Sequence, residues 1–338
     1  MHKQIDLGTI GMRVLKGIGI FLLVALIAAA ALLYKGDIPK DVVDAKYSSP
    51  TSQFFAMDNG ARVHFRDEGN PNGPVMILIH GSNASLHTWE PWLAEFASTY
   101  RVVTLDLPGH GLTGGVPDGD YSSAAQLKTV AAIADHLGLE QFVLGGNSMG
   151  GGVTWRYALE HQNQVTAMIL VDASGPQAWW QQRRAAQSDD KQPPLVFELL
   201  TKPWFRAIAR HIDPYQLTVQ GLNSAYNNSP VVDQALIDRY YEISLREGTR
   251  DATMSRFGSR RAFDETFDLS VLTQPTLVMW GREDSLISVD IADKFADALP
   301  NTTVVIYDDV GHIPMEEIPV RSAKDVLIFL GTLESNES

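Results

Sequence analysis

One serine stands between glycines in a way that suits nucleophilic chemistry: Gly146-Asn147-Ser148-Met149-Gly150. Gly-x-Ser-x-Gly describes a nucleophile elbow, a sharp strand-to-helix turn that lifts a serine hydroxyl above the carboxyl edge of a parallel sheet. Ser148 must then hold strained backbone angles, and strand and helix can close on each other only if the residues two before and two after it lack side chains. Gly146 and Gly150 fill those places. A serine hydroxyl is a weak nucleophile at neutral pH, so acyl chemistry here also demands a base for its proton and donors for an oxyanion.

The elements around the motif suit that task. An apolar run at 142–144 precedes the turn and a helical pattern at 153–159 follows it. Runs at 75–79, 101–105 and 165–171 read as strands buried on both faces, and they stop at His80-Gly81-Ser82-Asn83, at Asp106-Leu107-Pro108-Gly109-His110-Gly111 and at Asp172. Helical periodicity fills 86–96 and 124–137. Strands at 53–57 and 61–67 flank Asp58-Asn59-Gly60, a hairpin signal, so the sheet begins antiparallel. From 176 to 267 the strand rhythm lapses, and Trp179, Trp180, Trp204 and Phe205 accompany helical patterns, which reads as a helical cap insertion. Strands resume at 275–280 and 303–307, with helices at 289–299 and 321–333. The alternation predicts an α/β fold with a doubly wound, mostly parallel sheet whose strand ends carry the chemistry.

Together these motifs resemble the α/β-hydrolase superfamily, in its serine esterase and lipase-like branch, over nearly all the chain from about Ser52 onward. The resemblance implies an eight-stranded sheet and the chain order nucleophile, acid, histidine. Leu277-Val278-Met279-Trp280-Gly281-Arg282-Glu283-Asp284 is similar to the family's acid loop, and Val310-Gly311-His312-Ile313-Pro314-Met315-Glu316-Glu317 to its histidine loop. A triad of Ser148, His312 and Asp284 is thereby implied: His312 takes the serine proton, and Asp284 holds the imidazole tautomer and stabilises the imidazolium. His80-Gly81-Ser82 resembles the oxyanion loop, which assigns the backbone N–H groups of Ser82 and Met149 as oxyanion donors. The second lies at a helix N-terminus, whose dipole favours negative charge. Asp172 is the alternative acid, since some relatives place it after the earlier strand. His80 and His110 read as scaffold residues of their loops.

The implied activity is hydrolysis of carboxylic esters through an acyl-enzyme, without cofactor or metal. Ser148 excludes the aspartate-nucleophile dehalogenases and epoxide hydrolases that share the fold. A C–C bond hydrolase of meta-ring-cleavage products is the nearer alternative, because Gly-Asn-Ser-Met-Gly-Gly is common in that branch. Against it stand Asn83-Ala84-Ser85 in place of that group's glycine-proline-glycine and Ile313 in place of its tryptophan. Such an enzyme needs fixed cations near the nucleophile, whereas Arg183, Arg184, Lys191, Lys202, Arg206 and Arg210 read as solvated helix faces, so a neutral acyl pocket is expected. A catalytically inactive binding module would lack a triad member, and all three are present.

A net charge of −13 and the lack of any basic run exclude nucleic acid as a partner, since phosphate binding needs a concentrated basic face. With no cysteine, disulfides and thiol nucleophiles are excluded. The 338 residues divide into a tail (1–16), an uncharged apolar run (17–34), a polar linker (35–50), the first part of the core (51–175), the cap (176–267), the second part of the core (268–334) and a tail (335–338). About 18 apolar residues suffice to span a bilayer, so 17–34 reads as a single-pass signal anchor. Leu32, Leu33 and Tyr34 continue it past the small residues Ala28 to Ala31, which favours an uncleaved anchor. Lys3, Arg13 and Lys16 before the run balance Lys35, Lys40 and Lys46 after it, so the positive-inside count is tied. The short amino-terminal tail suggests the cytoplasmic side for itself and a periplasmic or extracytoplasmic catalytic domain at the cell membrane. The expected substrate is a small-molecule or lipid-like ester; the oligomeric state is left open.

Overall fold

The computed structural model describes residues 16, 18–21, 24, 28, 31–179, 199, 201–258 and 267–336. Eight strands form one sheet: β1 (Ser52–Ala56), β2 (Arg62–Gly69), β3 (Val75–Ile79), β4 (Arg101–Leu105), β5 (Phe142–Asn147), β6 (Val165–Val171), β7 (Thr276–Gly281) and β8 (Thr302–Tyr307). Their spatial order is β1-β2-β4-β3-β5-β6-β7-β8. β2 runs antiparallel to both β1 and β4, and every later pairing is parallel.

The apolar strands fill two cores because successive side chains leave a strand on opposite faces. On β3, Ile77 and Ile79 join one core with Phe65, Leu144 and Trp155, while Met76 and Leu78 join the other with Trp89, Trp92 and Ile169. The first core packs under the helices Ser123–His136, Met149–Glu160 and Asp290–Ala298, the second under Glu90–Phe96 and Pro319–Asn336. From β3 the chain steps to β4 on one side and then returns to β5 on the other. This reversal opens a crevice at the carboxyl ends of β3 and β5, the usual ligand position in an open α/β sheet.

Between β6 and β7 the described residues are helical: Pro203–Ala209, Tyr215–Ala225, Gln234–Ser244 and Thr249–Gly258. Trp180, Arg183, Arg184 and Lys191, singled out from the sequence, lie outside the described residues. The stretch read as a linker carries the helix Lys40–Tyr47 and is docked on this cap. Tyr34 bridges to Ile212 and Ile38 to Arg246. Asp37 pairs with Arg250, and Asp44 with Arg246 (2.7 Å) and Arg62 (3.1 Å). Much of 17–34 also lies outside the described residues. Among those described, no helix is long and apolar enough to cross a membrane.

Candidate active site

Ser148 sits at φ 54°, ψ −116° between β5 and the helix Met149–Glu160. A side-chain-bearing residue adopts such angles only under constraint. Backbone hydrogen bonds supply it: Ser148 N–H donates to Val171 O (2.9 Å), and Ser148 O accepts from Gly152 (3.1 Å) and Ser174 (2.8 Å). A Cβ at Gly146 would stand 2.3 Å from the Gly150 main chain, and one at Gly150 would stand 2.2 Å from Ile79 O. Both glycines are therefore required for strand and helix to meet at this angle.

The loop after β3 comes against the elbow. A Cβ at Gly81 would meet Asn147 Oδ1 at 2.6 Å and Ser148 Cβ at 3.1 Å, so the bare backbone of Gly81 is what brings Ser82 close. Among the described residues, neither Ser82 N–H nor Met149 N–H meets an acceptor. The second is one of the donors that every helix leaves unpaired at its start. His80 steadies this loop. Burial lowers its pKa, so the ring is neutral at pH 7: Nδ1–H donates to Gly81 O (2.7 Å), and Nε2 accepts from Leu107 N–H (3.1 Å).

His312 and Asp284, both buried, meet with His312 Nδ1 2.7 Å from Asp284 Oδ2. A carboxylate only accepts, so Nδ1 carries the proton and Nε2 keeps the lone pair a general base needs. Asp284 Oδ1 is fixed by Leu286 N–H (2.7 Å) and Ile287 N–H (2.9 Å). Asn147 ties this pair to the elbow, because its Nδ2 donates both to Val171 O (3.2 Å) and to His312 O (3.0 Å). Asp172, Asp284 and His312 offer donor atoms within 4.8 Å of one another, the spacing of a metal site. The protonated Nδ1 has no lone pair to give a metal, so the cluster reads as a hydrogen-bonded one. Asn147 thus holds the His312 loop, with its Nε2 lone pair, to the elbow that carries Ser148.

A family model described as alpha/beta hydrolase fold matches residues 74–319. The chain belongs to the α/β-hydrolase family. Its described sheet and elbow are those of an α/β-hydrolase, and family and relatives make it a hydrolase. An uncharacterised protein of Mycobacterium tuberculosis is 30% identical over 307 residues, 85% of this chain and 83% of that one. The 2-hydroxymuconate semialdehyde hydrolase of Pseudomonas putida is 26% identical over 309 residues, 88% of this chain and 100% of its own. Among solved structures, a membrane phospholipase A described as a bacterial virulence factor aligns at TM-score 0.66 and 23% identity, covering 96% of this chain and 99% of its own.

Three features of this α/β-hydrolase site escape sequence reasoning. Asn147 reads as the variable position of the elbow motif, yet it braces His312. Glu317 closes the histidine-loop motif with no role assigned to it, yet its carboxylate accepts from Gly311 N–H (3.0 Å) and Ile313 N–H (3.2 Å), gripping the loop on both sides of His312. Arg256 lies in the last described cap helix, with no motif around it, yet its Nη2 donates to Asn83 Oδ1 (2.9 Å) beside the oxyanion loop. No local signal marks Asn147 or Arg256, because each acts on a segment distant in sequence, whereas Glu317 acts within its own loop, four and six residues away.

Proposed function

We propose that this hydrolase cleaves carboxylic esters through an acyl-enzyme. Ser148 attacks the carbonyl as His312 Nε2 takes its proton; Asp284 holds the imidazole and stabilises its charged form. The oxyanion is received by Ser82 N–H and Met149 N–H, each such donor contributing about 3 kcal/mol to the transition state. His312 then returns the proton to the leaving alkoxide, and water repeats the sequence to free the acid. The observation that carries this reading is the 2.7 Å bond from His312 Nδ1 to Asp284, in a loop that Asn147 bonds to the elbow. A panel of esters of graded acyl length tests it, alongside Ser148→Ala. Turnover should fall by about 10^5-fold or more in the variant. Equal rates would end the serine-hydrolase reading.

The likeness to the P. putida enzyme favours a second reading, hydrolysis of a 2-hydroxymuconate semialdehyde. Including that compound in the panel decides between them: turnover faster than that of every ester would reverse the order.

We further propose that 17–34 anchors the protein in a cell membrane, with the catalytic domain on the extracytoplasmic side. Support comes from Ile18, Ile20, Phe21, Val24, Leu32 and Leu33, each more than half exposed among the described residues, apolar surface of the kind a bilayer would cover. The printed name of the membrane phospholipase A points the same way.

A further inference from the structure

Among the described residues Arg256 is a cation without a counter-charge, beside the loop proposed to receive the oxyanion. Its guanidinium donates to Asn83 Oδ1 (2.9 Å), to Thr253 Oγ1 (3.2 Å) and to the ring of His110. All three partners are neutral, His110 because burial, then Arg256 and His80, push its pKa well down. Among the described residues no carboxylate lies within ion-pair distance of Arg256. The contrast with the other enclosed arginines is plain: Arg66 pairs with Glu90, Arg246 with Asp44, Arg250 with Asp37 and Arg101 with Asp67. In a chain with 40 acidic side chains against 27 basic ones, leaving this guanidinium unpaired is costly. Burial pulls its pKa down to about 10, so it stays charged at neutral pH.

Its place says what the missing anion is. Gly81 touches the elbow, with its Cβ position 3.1 Å from Ser148 Cβ, and Asn83 follows two residues later, at most about 7.6 Å along the chain. The guanidinium thus stands beside the oxyanion loop, on the segment that comes against the elbow. Beyond those three bonds the guanidinium keeps N–H donors on Nε and Nη1, and its uncompensated charge suits a carboxylate. We propose that Arg256 is a specificity-determining residue and that the substrate is an ester bearing a carboxylate near its scissile bond. This deepens the reading of Ser148 as nucleophile and rests on it. It also departs from the neutral acyl pocket expected from the sequence, an expectation that rests on cap cations other than Arg256. A fixed cation is equally what the second reading, of an acidic ring-cleavage product, requires, and turnover of the ester pairs against that compound separates the two.

Matched ester pairs test the assignment on the full chain. Monomethyl against dimethyl glutarate places the charge on the acyl side; 4-acetoxybenzoate against its methyl ester places it on the leaving group. The wild type should favour the charged member of at least one pair by about tenfold or more in kcat/KM, and the pair that responds identifies the side. Arg256→Gln should lower that preference by about tenfold, abolishing it, and Arg256→Lys, which keeps the charge but not the guanidinium's several donors, by about threefold. Because the readout is a ratio within one protein, a general loss of activity cancels. Calorimetric binding of the charged esters to Ser148→Ala, with and without Arg256→Gln, reads the same contact without turnover. Should no ester be hydrolysed, the serine-esterase reading fails while this arm still decides Arg256. Unchanged preference in both pairs, or unchanged affinity, overturns the proposal.

Discussion

Asp172 and Asp284 end the neighbouring strands β6 and β7 with carboxyl groups close enough to share a cluster with His312, yet only Asp284 bonds the imidazole. Asp172 is held at φ 44°, with Oδ1 accepting from Gly281 N–H (3.0 Å) and Oδ2 buried without a partner among the described residues. Burial first, and then the charge of Asp284, raise its pKa well above the usual carboxylate range. Two carboxylates so placed disfavour each other's ionisation, and it is Asp172 that yields. Asp172 is therefore a neutral acid beside the carboxyl group that bonds His312.

Substitution by asparagine separates the two. Asp172→Asn keeps the shape and the neutral state, and kcat should stay within about tenfold of wild type. Asp284→Asn leaves the wrong imidazole tautomer, and kcat should fall by about 10^3 to 10^4. If Asp172→Asn were the more damaging, the acid would belong after β6.

The elbow glycines should be needed for shape rather than chemistry. Gly150→Ala puts a methyl group 2.2 Å from Ile79 O and 2.6 Å from His80 O, so the oxyanion loop must yield. Overpacking of this kind costs about 1 to 3 kcal/mol and displaces Ser82. A lower melting temperature with a large loss of kcat is expected, whereas Ser148→Ala should lose kcat with a melting temperature within about 2 °C of wild type. A Gly150→Ala protein with wild-type activity would mean that the loop and the elbow are not in contact.

How legible the molecule is in its sequence depends on how local each signal is. The strands announce themselves because β3, β5 and β6 are buried on both faces and must be apolar throughout. Ser148, Asp284 and His312 stand in short motifs whose neighbours set the turn geometry. Asn147 braces His312 from 165 residues away, and Arg256 reaches Asn83 across 173. Residues 35–50 look solvated because the partners of Asp37 and Asp44 lie 213 and 202 residues on. Composition and periodicity carry no information about such pairs.

Acid should weaken the fold before it titrates most carboxylates. His87 is pushed down to about 4 by burial, against the opposing pull of Asp106 and Glu90, and burial also lowers His80 and His110. In the unfolded chain each takes up a proton near its ordinary value of 6.5; in the folded state it does not. Stability is thus fully present above about 6.5 and is lost as pH falls from there toward 4, on the order of 1 kcal/mol per pH unit for each histidine. Urea unfolding between pH 7.5 and 5 measures the slope. His87→Gln should flatten it by about one proton, and an unaltered slope would remove His87 from this account.

The N-terminal region should divide at about residue 32. Leu33 O accepts from Asp213 N–H (2.8 Å) and Lys35 N–H donates to His211 O (2.8 Å), so the docked segment begins there. Deleting residues 1–31 removes most of the apolar run, with the exposed Ile18, Ile20, Phe21 and Val24, and keeps every contact just named. The product is expected to leave the membrane fraction with kcat and melting temperature close to the full chain, while the full chain stays with membranes through a high-salt wash, because apolar insertion is not screened. Deleting residues 1–45 goes further and strips Asp37, Val43 and Asp44. Arg246 and Arg250, both buried, then lose their counter-ions. Removing one partner of such a pair costs about 3 kcal/mol, or roughly 5 to 10 °C in a domain of this size. Restoring acidic partners in trans with a peptide of residues 32–50 should recover part of that loss. Equal melting temperatures for the two truncations would show that the segment only lies on the cap, and release of the full chain by salt would replace the anchor with peripheral binding.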